Sequence, residues 1–285
     1  MSVVRRYVAG PHGQFHLRES GIGGTPLVLL HQSPLSGAMF DAVMPLLGRA
    51  GFHAVAVDTP GYGQSTRPEH PVGIAGYAEA IGAVLDAMGW SKAHILGHHT
   101  GASIAAAFAA RNPGHVERLI LNGVALLSDE ERAHFAGFRF APLEPLPDGA
   151  HLVAAWNQRI AATPGWTDLK AMHRYVVELL ANPDGYHWGF TAAFAHDLQA
   201  DLRAIAAPTL VLTNTGEDLY EASRRAVLLR PDFAFAELEG GTHDIVDEQP
   251  EAWVSAIASF LRHSRESGNP PPAPTMRDGF PPSRE

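Results

Sequence analysis

The sequence has no cysteine among its 285 residues, which excludes disulfides, thiolate zinc sites and a cysteine nucleophile. It also lacks any block of Lys and Arg, and its formal net charge is -9. Both facts argue against nucleic acid or an anionic membrane surface as a partner. No stretch reaches the roughly 18 uninterrupted apolar residues of a membrane span. No long apolar run stands behind the basic pair Arg5-Arg6, so no signal peptide is expected. The expectation is a cytoplasmic protein, monomeric or homodimeric, whose partner is a small-molecule substrate.

What is present is a chain 46% hydrophobic, enough for one large α/β domain carrying an insertion. The segment 264–285 stands apart, with six prolines (Pro270, Pro271, Pro272, Pro274, Pro281 and Pro282) and almost no aliphatic residues. It cannot bury enough apolar surface to offset its ordering entropy, so a disordered tail is expected.

Tyr7-Val8-Ala9 and Gln14 to Arg18 flank the turn signal Gly10-Pro11-His12-Gly13 and predict a hairpin. Pro26 to His31 is a continuous apolar run, as a strand buried on both faces should be. A helix is expected from about Gly37 to Arg49, then a strand over Gly51 to Asp58. Tyr77, Ile81, Val84, Leu85 and Met88 mark one face of a helix over 74–88. Ala93-His94-Ile95-Leu96 precedes Gly97-His98-His99-Thr100-Gly101, which opens a small-residue helix. Val116 to Asn122 is another strand. This alternation predicts a mostly parallel sheet covered on both sides.

The rhythm then breaks. Ser128-Asp129-Glu130-Glu131 has the spacing of a capping box. Helical patterns continue to about Asp197, rich in aromatic side chains that include Phe138, Phe140, Trp156, Trp166 and Tyr175, with a loop marked by Pro142, Pro145 and Pro147. Strands resume at Pro208 to Thr213 and Phe233 to Leu238, and a last helix begins near Pro250. The expected division is a core of 1–125 and 201–263, with a helical cap over 126–200.

Five short motifs fall at the ends of expected strands. They are His31-Gln32-Ser33-Pro34, Asp58 to Ser65, Gly97 to Gly101, Gly216-Glu217-Asp218 and Gly240-Gly241-Thr242-His243. In that order they resemble the α/β-hydrolase family, with its oxyanion loop, glycine-rich turn, nucleophile elbow, acid and base. The resemblance implies an α/β-hydrolase fold. It implies catalytic roles for the elbow apex His99, the acid Asp218 and the base His243. Glu217 is the rival acid and Asp129 a third candidate. Backbone N–H groups of Ser33 and Thr100 are the implied oxyanion donors, with His31, Gln32 and His98 around the substrate. His31 lines the pocket floor or packs as a hydrogen-bonded residue.

The departure from the family is at the apex, where His99 stands in place of the usual serine. Several readings stay open. His99 is a nucleophile forming a short-lived acyl-imidazole, or His99 and His243 serve as bases toward water or a substrate proton. The expected function is hydrolysis of an ester, lactone or carbon–carbon bond next to a carbonyl in a small, mainly apolar substrate. The alternative is a cofactor-independent lyase, decarboxylase or oxygenase using a His/Asp base. A catalytically inactive ligand-binding protein comes third. No cofactor and no metal are expected, because the 16 histidines match no compact metal motif.

Overall fold

The computed structural model describes residues 2–136 and 143–262. Phe138, Phe140, Pro142 and the tail expected over 264–285 lie outside the described residues. The strands are β1 (Val4–Gly10), β2 (Gly13–Ser20), β3 (Thr25–Leu30), β4 (Phe52–Val57), β5 (Ala93–His98), β6 (Val116–Asn122), β7 (Thr209–Asn214) and β8 (Ala234–Leu238). They form one sheet in the order β1-β2-β4-β3-β5-β6-β7-β8. β2 runs antiparallel to β1 and β4, and the remaining pairs are parallel.

Alternation along the central strands builds a core on each face of this sheet. In β3, Val28 and Leu30 join one apolar cluster while Leu27 and Leu29 join the other. In β4, Val55 and Val57 go one way, and Ala54 and Ala56 the other. Successive side chains point to opposite faces, so apolar residues at every position require cover on both sides.

The helices supply that cover or build the inserted segment. They are α1 (Met44–Arg49), α2 (Ile74–Met88), α3 (Thr100–Arg111), α4 (Asp129–Ala136), α5 (Ala150–Ala162), α6 (Leu169–Ala181), α7 (Trp188–Ala195), α8 (Leu198–Ala204), α9 (Tyr220–Leu229), α10 (Ile245–Glu248) and α11 (Pro250–Arg262). The helix expected over 37–49 is split into a 3-10 turn at Gly37–Phe40 and α1. Pro45 falls in the first turn of α1. Its missing N–H suits a helix start and not a helix interior.

Helices α4 to α8 lie between β6 and β7. The capping box is formed: the Ser128 N–H donates to the Glu131 carboxylate at 2.7 Å, and the Glu131 N–H donates to the Ser128 hydroxyl at 3.2 Å. Ala155, Val176 and Leu179 make a small separate core, with Trp156 and Tyr175 packed against it. Helix α8 follows where no helix was expected, started by the Asp197 carboxylate accepting from the Ala200 N–H. The expected 200/201 boundary therefore falls inside a helix.

Candidate active site

His99 sits between β5 and α3 with φ 50° and ψ -110°. Among the described residues it is the sole non-glycine with positive φ, a conformation that costs energy for any residue with a β-carbon. The surroundings impose it. The His99 N–H donates to the Asn122 carbonyl at 2.8 Å, and the His99 carbonyl accepts from the Ala102 N–H at 2.8 Å. A β-carbon on Gly97 would collide with the Gly101 carbonyl, and one on Gly101 with the Leu30 carbonyl. Those two glycines let α3 cross close behind β3 and thrust the apex side chain above the strand ends.

The imidazole of His99 has a specific partner. Its Nε2 donates to Glu217 Oε2 at 2.6 Å. The Glu217 side chain is fully buried. Its other oxygen accepts from the Thr213 hydroxyl and, at 3.4 Å, from the Asn214 N–H. Burial pushes the Glu217 carboxyl up, but the hydrogen bond and charge of His99 outweigh it and leave the group below its ordinary range. Gly123, with φ 68°, makes room for the pair. A β-carbon there would strike the His99 ring and the Glu217 carboxylate.

Asp218, the acid expected from the resemblance, stands apart. Its side chain is 88% exposed, and its carboxylate is 4.0 Å from His243 Nδ1, beyond hydrogen-bond distance. The rival Glu217 turns inward because Thr213 and Asn214 offer donors beneath it, and Asp218 is left on the outside of the turn.

His243 lies beside His99 with ring centroids 6.3 Å apart. Its Nε2 accepts from Arg159 Nη1 at 2.6 Å. Arg159 comes from α5 and also pairs with Asp244. Burial, then the Arg159 charge and the neighbouring histidines, hold the His243 imidazole well below its usual range. His98 stacks on His99 at 4.5 Å, and its Nε2 donates to the His243 carbonyl at 2.9 Å. Burial and the His99 charge push His98 down to about 4. His98 is thus a neutral strut between the elbow and the His243 loop.

The remaining expected residues are near but differently employed. His31 has both nitrogens engaged: Nδ1 donates to the Gln32 carbonyl at 2.9 Å, and Nε2 accepts from the Thr59 N–H at 3.0 Å. This is the packing arrangement. The Gln32 amide reaches the His243 carbonyl at 3.4 Å and Asp244 at 3.5 Å. The Ser33 N–H donates to the Thr100 hydroxyl at 3.4 Å. Thr100 opens α3, so its own N–H belongs to the unpaired first turn of a helix. Among the described residues no three His, Asp or Glu side chains are grouped to hold a metal ion, and no helix is long and apolar enough to cross a membrane.

Arg159, Asp244, Thr213 and Gly123 were not among the residues expected from sequence. Gly123 had a visible signal, a glycine directly after a strand. Arg159 had none, since its contact spans 84 residues.

The sheet order, the strained elbow and the acid and histidine at neighbouring strand ends define an α/β-hydrolase-fold protein. The chain belongs to that family: the family model of the alpha/beta hydrolase fold matches residues 25–219. It is 30% identical over 252 residues to the AB hydrolase superfamily protein YisY of Bacillus subtilis, covering 83% of this chain and 91% of that protein. It is 37% identical over 118 residues to a 2-hydroxy-6-oxononadienedioate/2-hydroxy-6-oxononatrienedioate hydrolase of Dechloromonas aromatica, 39% of each chain. Among solved structures, a hydrolase from Pseudomonas aeruginosa superposes with a TM-score of 0.75 at 25% identity, covering 90% of this chain and 98% of that one.

Proposed function

We propose that the protein hydrolyses an ester, lactone or carbon–carbon bond next to a carbonyl in a small, mainly apolar molecule, with His99 activating the attacking water. The observation that carries this reading is the 2.6 Å hydrogen bond from His99 Nε2 to the buried Glu217. A carboxylate behind an imidazole fixes its tautomer and stabilises the imidazolium that forms when it takes a proton. With Glu217 on Nε2, the Nδ1 lone pair of His99 is the basic atom. In this reading the pair works directly on water, without the serine that usually stands between base and substrate. The N–H of Thr100 receives the developing oxyanion, and that of Ser33 joins it by leaving the Thr100 hydroxyl, to which it donates at 3.4 Å. The hydrolase names carried by relatives support a hydrolytic reaction.

The inserted helices close one side of the site. The Gly189 N–H donates to the Tyr62 hydroxyl at 2.7 Å, and the Asn182 amide donates to the Gly61 carbonyl at 2.8 Å. These contacts support 126–200 as a cap resting on the glycine-rich turn of the core.

The test is a screen of esters, lactones and β-diketones with the wild type and His99→Ala, scored for products. Loss of a positioned general base should lower kcat by roughly 10²- to 10⁴-fold. Full activity of His99→Ala on every substrate the wild type turns over would remove His99 from the chemistry.

A further inference from the structure

Arg159 occupies an unusual place for a guanidinium. Its side chain is only 2% exposed, although it comes from an inserted helix and not from the sheet. Nη2 pairs with Asp244, while Nη1 donates to His243 Nε2 at 2.6 Å. The guanidinium lies 4.1 Å from the Tyr175 ring centroid and 5.6 Å from that of Trp166, both contributed by the insertion. Carboxylate, imidazole and two aromatic rings thus fix the group on several sides.

The consequence for His243 follows from hydrogen-bond inventory. A guanidinium has donors and no acceptor, and it keeps its charge. Nε2 of His243 must therefore present its lone pair to Arg159, which puts the ring proton on Nδ1. The groups facing His243 are Arg159 from α5, Asp218 from the loop after β7, Asp244 from its own loop, and His98 and His99 from the elbow. Asp244 lies 3.5 Å from Nε2, yet its carboxylate is already paired with Arg159. The ring nitrogen on the side away from Asp218, Nε2, is thus filled by a donor that cannot give up its charge.

We infer that Arg159 is a positioning residue: anchored by Asp244, it holds His243 as the neutral Nδ1–H tautomer and withdraws the Nε2 lone pair from base duty while the inserted helices are docked. Only one consequence, that base duty falls to His99, rests on the function proposed above. The effect of burial and of the Arg159 charge on the imidazole runs in the same direction.

The experiment is histidine-selective ¹⁵N NMR of the full chain, with a His243→Gln spectrum to assign the signal. Wild-type His243 should show a protonated Nδ1, an unprotonated Nε2 and no titration near neutrality. In Arg159→Met, which has no donor, the midpoint should rise by on the order of one pH unit or more and both tautomers should appear. Arg159→Lys, which restores charge and donor, should keep the wild-type pattern. A wild-type His243 that carries its proton on Nε2, or that titrates near neutrality, overturns the inference, and does so even if Arg159→Met fails to fold. An unchanged His243 in a folded Arg159→Met protein overturns it as well. The readout is independent of turnover, so a failed assignment of His99 as base leaves this result intact, and the reverse.

Discussion

Two adjacent acids, Glu217 and Asp218, separate two accounts of the chemistry. Glu217 is buried against His99, whereas Asp218 is solvated and outside hydrogen-bond reach of His243. Glu217→Gln keeps the shape but lacks the charge that stabilises an imidazolium. Its kcat should fall by at least roughly tenfold, within the range for groups supporting a general base. Asp218→Asn should stay within about twofold of wild type, as exposed substitutions away from the reacting groups generally do. Steady-state kinetics on one substrate compare the two, and a larger loss in Asp218→Asn would return the acid role to that residue. Sequence put Asp218 first, Glu217 as its rival and Asp129 third, and offered nothing to decide between the two neighbours. Which one turns inward depends on the donors of Thr213 and Asn214 beneath Glu217, and a motif at the end of a strand does not contain that information.

Elements were legible where periodicity is strong and illegible where contacts are distant. The helix expected over 74–88 has those bounds in the structure, because its apolar face repeats at helical spacing and Gly89, at φ 67°, terminates it. The five motifs sit at strand ends, since the turn chemistry that marks them also ends strands. The split before α1 required weighing Pro45 above the apolar pattern. The docking of α5 on the His243 loop left no local trace, because Arg159 and His243 are joined only by the folded chain. Gly123 lies between these extremes. It stands at the end of β6 with φ 68°, and its missing side chain leaves room for the His99–Glu217 pair. Gly123→Ala should therefore cost about 1–2 kcal/mol for the backbone alone, with more from displacing the ring, and should lower activity together with stability. Urea unfolding and kinetics on the same preparation check both. A stable variant with full activity would mean that His99 and Glu217 have slack that the packing does not suggest.

At the scale of the whole molecule, the buried histidines make stability a function of pH. His31, His98 and His243 are all held below the usual imidazole value, in each case first by burial, and His98 lies at about 4. In the unfolded chain they would protonate near 6.5. A group whose folded value is depressed contributes stability that is present above the unfolded value and lost as pH falls toward the folded one. Below about pH 6.5 the unfolded state thus binds up to about three protons that the folded state refuses. Two groups oppose this, Glu178 and Asp247, the latter raised from its ordinary value chiefly by burial and acting at the acid end of the range. Glu178 on α6 is pushed up to about 7, chiefly by burial, so between about pH 7 and 4.5 the folded state holds a proton that the unfolded state releases. The balance is a net uptake on unfolding of up to about two protons, which corresponds to at most about 3 kcal/mol of stability lost per pH unit between roughly pH 6 and 5. The urea midpoint should accordingly be nearly level from about pH 8 to 7 and fall steeply below about 6.5, with an unchanged m-value. A midpoint that stays constant or rises between pH 6.5 and 5 would show that the site histidines are already charged in the folded protein. A neutral His98 strut and a donor-occupied His243 would then both be wrong.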